Sequence, residues 1–242
     1  MKKIIIILLI TYTICPLWGQ MVSIGFGPTY IPDKSKVKLH PDVLGKGVGG
    51  NDDWFYQISY AQWINKKILI LGSYSKYPLA TSYNFKYGIG KLDEGAYGWP
   101  GGAHINRLDL GIVWNTFQKT KFIVHPNINL GLQISRSQDV GIIGTIPKDI
   151  LPLAFEQLQE IEANAYSNIQ IVPVIGLKLG YAFWNRLELF FDIKMVWGYK
   201  TVQELTLQYA YKGVRQPDAI NYTDGTGRFY ALGIGYRFLK PK

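Results

Sequence analysis

Along residues 169–183 apolar and polar side chains alternate with a period of two. Ile169, Ile171, Pro173, Ile175, Leu177, Leu179, Tyr181 and Phe183 fall on one face; Gln170, Val172, Val174, Gly176, Lys178, Gly180 and Ala182 fall on the other. Residues 187–199 repeat the pattern, with Leu187, Leu189, Phe191, Ile193, Met195, Trp197 and Tyr199 opposite Glu188, Phe190, Asp192, Lys194, Val196 and Gly198. Only Trp184, Asn185 and Arg186 separate the two runs, which predicts a tight hairpin. The same period marks strands near 21–30, 54–64, 67–77, 105–117, 121–135 and 227–238, making eight with the hairpin. Connections at 65–66, 118–120 and 184–186 are short, and those at 31–53, 78–104, 136–167 and 201–226 are long. Regular alternation of short turns and long loops predicts an up-and-down antiparallel transmembrane barrel, all-β, with four long extracellular loops and periplasmic termini.

The make-up of the two faces names the solvent. One face is long, apolar and aromatic; the other carries Gly, Ser, Asn, Gln and charges. A soluble barrel fills its interior with large apolar side chains. The polar face cannot build such a core, because buried unpaired charge is costly. Lipid outside and polar contacts inside accommodate both faces, and closure satisfies the backbone groups that lipid cannot. Aromatics gather toward the strand ends: Trp63, Trp114, Phe117, Phe122, Phe183, Trp184, Tyr236 and Phe238 at one level, and Tyr30, Trp54, Tyr56, Tyr74, Tyr77, Trp197, Tyr199 and Tyr230 at the other. Two such levels predict interfacial girdles.

The final strand carries a resemblance. Tyr230, Leu232, Ile234, Tyr236 and Phe238 alternate with Ala231, Gly233, Gly235 and Arg237. This resembles the closing strand of outer-membrane barrels, which ends on an aromatic residue; here the tail Leu239-Lys240-Pro241-Lys242 extends past it. The whole layout is similar to the small eight-stranded barrels of the OmpA, OmpX and OmpW kind. The resemblance implies the outer membrane of a Gram-negative bacterium.

At the N-terminus Lys2 and Lys3 precede an apolar run from Ile4, and small Gly19 follows Trp18. The run is too short for a spanning helix, which needs about 20 apolar residues. It reads as a secretory signal over 1–19, leaving 20–242 as the barrel. Cys15, the single cysteine, lies within it, so no disulfide framework is expected. The formal charge of +9 falls to +7 without Lys2 and Lys3 and is not gathered into a basic run. Nucleic acid is therefore not an expected partner. Outer-membrane lipid and anionic lipopolysaccharide are.

Chemistry-bearing residues concentrate on the inward face. Centring the hairpin on Asn185 sets Lys178 opposite Asp192 and Ala182 opposite Glu188, with Arg237 entering from the last strand. Lys178–Asp192 and Glu188–Arg237 are the expected pairs. Lys194 and His125 complete a lumen network, which predicts a polar plug in an interior only wide enough for side chains. His40, His104 and His125 lack metal-ligand spacing, and no cofactor is expected. A lipid-modifying enzyme would need a Ser–His pair such as Ser167 with His104, but no motif singles it out, and no enzyme is predicted.

Two long connections have character of their own. Over 147–165 the period shifts toward 3.6, with Ile150, Leu151, Ala154, Phe155, Leu158 and Ile161 on one side. That predicts an amphipathic surface helix, opened by Pro147 and Asp149, whose apolar stripe meets the rim, lipid or a partner protein. Thr201, Gln203, Leu205, Leu207, Tyr209 and Tyr211 continue the alternation of the preceding strand, which predicts a projecting arm with a strand edge open to a partner. The expected role is a structural or interaction scaffold whose loops bind a partner protein or the cell-surface environment, with a narrow channel or carrier for small solutes, or a lipid-modifying outer-membrane enzyme, as alternatives.

Overall fold

The computed structural model describes residues 20–41, 50–51, 54–79, 81–86, 94–99, 104–116, 121–136, 139–144, 158–184, 186–211 and 213–238. In chain order its strands are β1 (Gln20–Pro32), β2 (Lys34–Val37), β3 (Gly50–Asn51), β4 (Trp54–Trp63), β5 (Ile68–Pro78), β6 (Thr81–Lys86), β7 (Glu94–Trp99), β8 (His104–Trp114), β9 (Phe122–Ser135), β10 (Asp139–Gly144), β11 (Leu158–Ala165), β12 (Ile169–Ala182), β13 (Leu187–Val196), β14 (Gln203–Tyr211), β15 (Val214–Arg215), β16 (Ala219–Thr223) and β17 (Gly227–Arg237). No helix occurs among the described residues.

Eight of these strands close a barrel in the order β1, β4, β5, β8, β9, β12, β13, β17, with β17 returning to β1. Every pairing is antiparallel. The β12–β13 ladder sets Lys178 against Asp192 and Ala182 against Glu188, the register of a hairpin centred on Asn185. At the β4–β5 turn Asn65 Oδ1 accepts the amides of Lys67 and Ile68 at 2.8 and 3.0 Å. A side chain that caps its own turn in this way lets two long strands meet over a short connection. The seam closes where the Phe238 amide donates to the Gln20 carbonyl at 2.8 Å.

The sidedness is inverted relative to a soluble barrel. Leu110 is 65% exposed, whereas Arg107, three residues earlier on β8, is fully buried. Ile24, Phe26, Ile58, Ile112, Leu130, Ile171 and Leu232 also point outward. Ser59, Asn127, Asn129, Asp192 and Lys194 point inward. Parity corrects two of the girdle assignments. Trp63 and Tyr77 stand at the levels expected, but each lies on the inward set of its strand and is buried in the lumen. Phe117 lies outside the described residues.

The long connections build a second sheet, β10-β11-β14-β16-β2, with β15 on β14. Here two expectations are corrected. Residues 158–165, including Leu158 and Ile161, form β11 rather than the end of a helix, paired along β14 with Ala163 against Leu205 and Ile161 against Leu207. Ladder bonds to a strand already committed to β geometry outweigh a local helical period, since local propensity is a weak prior. Ile150, Leu151 and Phe155 lie outside the described residues. The projecting arm is also absent: β13 stops at Val196, and β14 begins afresh at Gln203 with both edges occupied, by β11 and β16. The chain leaves the barrel at Gly198, where a Cβ would sit 2.0 Å from the Asp224 carbonyl oxygen. Only glycine fits so close a backbone approach.

Candidate functional site

Charged side chains of β8, β12, β13 and β17 gather in the lumen, where they are stacked in layers. Nearest the short turns Met21, Ala61, Trp63, Leu69 and Val113 form a small apolar cluster. Above it Glu188 receives Lys178 Nζ at 2.6 Å and an Arg237 terminal nitrogen at 2.9 Å. Glu188 is fully buried, so both cations converge on one carboxylate. The expected Lys178–Asp192 ion pair is not formed. Although the two residues are register partners, the lysine stem leans along the strand, its Nζ lies 4.0 Å from the Phe190 ring centroid, and it reaches Glu188. Glu188 lies four residues from the register partner of Lys178, opposite Ala182, and the extended lysine stem passes the Phe190 ring to reach it. His125 is buried beside them, with Nε2 3.3 Å from Asn115 Oδ1 and its ring edge-on to Trp63.

The middle layer centres on Lys194. Its Nζ donates to Gln57 Oε1 at 3.0 Å and lies 3.7 Å from both Asp109 and Asp192. Gln57 spans the lumen to give its amide to Asp192 at 2.9 Å. Asp109 also receives Arg107 Nε at 2.8 Å and the Ser73 hydroxyl at 3.1 Å. Arg107 and Asp109 are the network members that sequence reasoning missed. Their signal was present: with Leu108, Leu110 and Ile112 on the apolar face of β8, the odd positions must face inward. Gly131 opposite makes room for the pair, because a Cβ there would stand 2.7 Å from the Asp109 carboxylate. The Arg107 guanidinium packs against the rings of Phe229 and Tyr77, 4.7 and 5.7 Å from their centroids.

Above Arg107 the chain closes the mouth. The turn at Asp224 and Gly225 hooks over the lumen, with Gly225 in the left-handed region at φ 79°. Gln133 and Gln170, from β9 and β12, donate to the Asp224 carbonyl at 3.2 and 3.0 Å. Gln170 in turn accepts the amides of Tyr199 and Lys200. Around this turn Ile31, Phe55, Ile105 and Val172 of the barrel join Leu205, Leu207, Tyr209, Ala163 and Ala219 of the outer sheet in one apolar core. In the lower lumen, a cavity of about 20 Å³ lined by Ser23, Gln57, Ser59 and Lys194 remains. That is room for about one water molecule.

Outside the barrel an open groove of about 390 Å³ lies where the outer sheet meets the rim, lined by Lys36, Tyr166, Ser167, Asn168, Lys200, Thr201 and Glu204. The Glu204 carboxylate, hydrogen-bonded to Lys36, raises the lysine pKa. Burial raises that of Tyr166, with Glu204 adding to it. The Ser167 hydroxyl meets the Ser135 carbonyl at 3.5 Å. Among the described residues no three His, Cys, Asp or Glu side chains converge as metal ligands would.

The architecture has solved counterparts. The outer membrane protein OprG from Pseudomonas aeruginosa superposes with a TM-score of 0.50 at 12% identity, over 91% of this chain and 96% of that one. The fold is that of a small eight-stranded outer-membrane β-barrel. Neisserial surface protein A reaches 0.45 at 12% identity, over 91% and 97% of the two chains, and Ail of Yersinia pestis 0.42 at 11%, over 92% and 100%. No family model matches the sequence. A curated relative, biotin–protein ligase 2 of Arabidopsis thaliana, is 28% identical over 109 residues, 44% of this chain; the match spans 27% of that protein's length.

Proposed function

We propose that the protein is a sealed outer-membrane scaffold that presents its extra-barrel sheet to a partner protein or to the cell-surface environment. One observation carries this reading: the lumen is stoppered twice. Interlocked ion pairs fill it up to Arg107, and the Asp224–Gly225 turn with its apolar core covers the mouth. A solute path would need the water-filled continuity that wide barrels have and an eight-stranded one lacks. The ordered outer sheet and its open groove supply a binding surface. Exposed Arg136 and Arg228 at the long-connection rim suit anionic lipopolysaccharide. In this arrangement residues 1–19 are a cleaved signal and the termini lie in the periplasm. The folded protein is expected to fractionate with outer membrane, to begin at Gln20, and to give no stable conductance steps in planar bilayers. Reproducible ion conduction by the folded barrel would overturn the scaffold reading in favour of a channel.

A further inference from the structure

The two ends of the barrel differ in charge as sharply as in loop length. Among the described residues of the short-turn end, 61–71, 113–116, 121–124, 180–184, 186–190 and 235–238, Glu188 is the single carboxylate. Glu188 is buried and held by Lys178 and Arg237. Lys66, Lys67, Lys121 and Arg186 are all exposed on that end. At the other end carboxylates accompany the cations, and three ion pairs form there: Lys34 with Asp224, Lys36 with Glu204, Arg215 with Asp218. The positive excess of the chain is therefore displaced toward the short turns.

These cations stand beside outward aromatics. Phe122 is 65% and Trp184 68% exposed, with Trp114 and Tyr181 near them. Rings of this kind settle at the headgroup level of a bilayer. They set the depth of the adjacent lysines to that of the lipid phosphates. A zwitterionic headgroup carries its own compensating cation, whereas a headgroup with net negative charge does not. We infer that the short-turn end is a docking ring for anionic phospholipid headgroups, which ties this end of the barrel to one leaflet. The inference rests on the membrane-spanning reading above.

A cation near an anionic lipid surface strengthens association about fivefold, and the effect fades with salt. The folded full chain in neutral detergent micelles would be titrated with short-chain phosphatidylglycerol or phosphatidylcholine and followed by tryptophan fluorescence. Phosphatidylglycerol is expected to saturate at an about tenfold lower mole fraction, and the preference should vanish at about 0.5 M salt. It should be lost in K66Q/K67Q/K121Q, which leaves intact the hydrogen bond that an Arg186 terminal nitrogen donates to the Tyr236 hydroxyl at 3.3 Å, and kept in the long-connection control K36Q/K76Q/K200Q. Equal response to both lipids, or a preference that survives the first variant, would overturn the inference, including in favour of an acidic protein as the partner. Heat-modifiable migration of each variant on gels reports folding. Failure of the unmodified chain to fold into micelles or bilayers would instead remove the membrane-spanning reading itself.

Discussion

The barrel sheet and the outer sheet are written in the same alternation and fold with opposite sidedness. In the barrel the apolar set, Ile24, Leu110 and Ile171, faces out, and Asp109, Asn127 and Lys194 face in. In the outer sheet Leu205, Leu207 and Ala219 are fully buried, while Glu204 and Thr206, on the other face of β14, are half-buried. The difference teaches that a period of two names two faces and nothing more; the medium outside decides which of them turns inward. Water drives about 1.5–3 kcal/mol of leucine burial in the outer sheet. Hydrocarbon removes that drive in the barrel, and ion pairing in a narrow lumen takes its place.

The comparison can be broken most severely at Glu188. Glu188→Leu leaves Lys178 and Arg237 without their shared carboxylate. Loss of one member of a buried ion cluster costs about 3–5 kcal/mol. Urea unfolding in lipid vesicles should show that loss, and a midpoint unchanged from wild type would mean the network is not structural. In the outer sheet Leu207→Ala should cost about 3 kcal/mol, as a cavity in a packed core does. Its signature is regional: proteolysis at the outer sheet should accelerate while the barrel keeps its heat-modifiable migration. Simultaneous loss of both would make the two sheets one cooperative unit.

A sharper form places one substitution in both regions. Leu110→Arg, at the centre of the lipid-facing stripe of β8, should destabilise by about 2–4 kcal/mol. Thr206→Arg, on the polar face of β14, should stay within about 0.5 kcal/mol. Equal costs, measured in the same vesicles, would remove the distinction between lipid-facing and water-facing surfaces. A smaller loss than that of Leu110→Arg is expected where the two regions meet. Tyr77→Phe removes the hydroxyl that donates to Gln133 Oε1 at 3.2 Å, and a single hydrogen bond contributes about 1 kcal/mol. Because Gln133 also holds the Asp224 turn, amide exchange there should quicken more than in β9.

The sequence by itself determined the barrel. Eight alternating runs, the short turns at Asn65 and Asn185 and the uninterrupted apolar face leave one topology, because strand parity and turn length are local properties. It also determined that Lys178, Glu188, Asp192, Lys194, His125 and Arg237 belong to a polar face. Tertiary structure decided which of them meet. Lys178 passes over its register partner to reach Glu188, and Asp192 is held by Gln57 from across the lumen, because the length and lean of side chains in a confined bore select contacts that spacing along the chain does not encode. It likewise decided the fate of residues 158–165. Their small inward side chains, Ala163 and Ala165, give a weak period of two, and only the presence of β14 alongside, with its unpaired amides and carbonyls, makes a strand the state in which those backbone groups are satisfied.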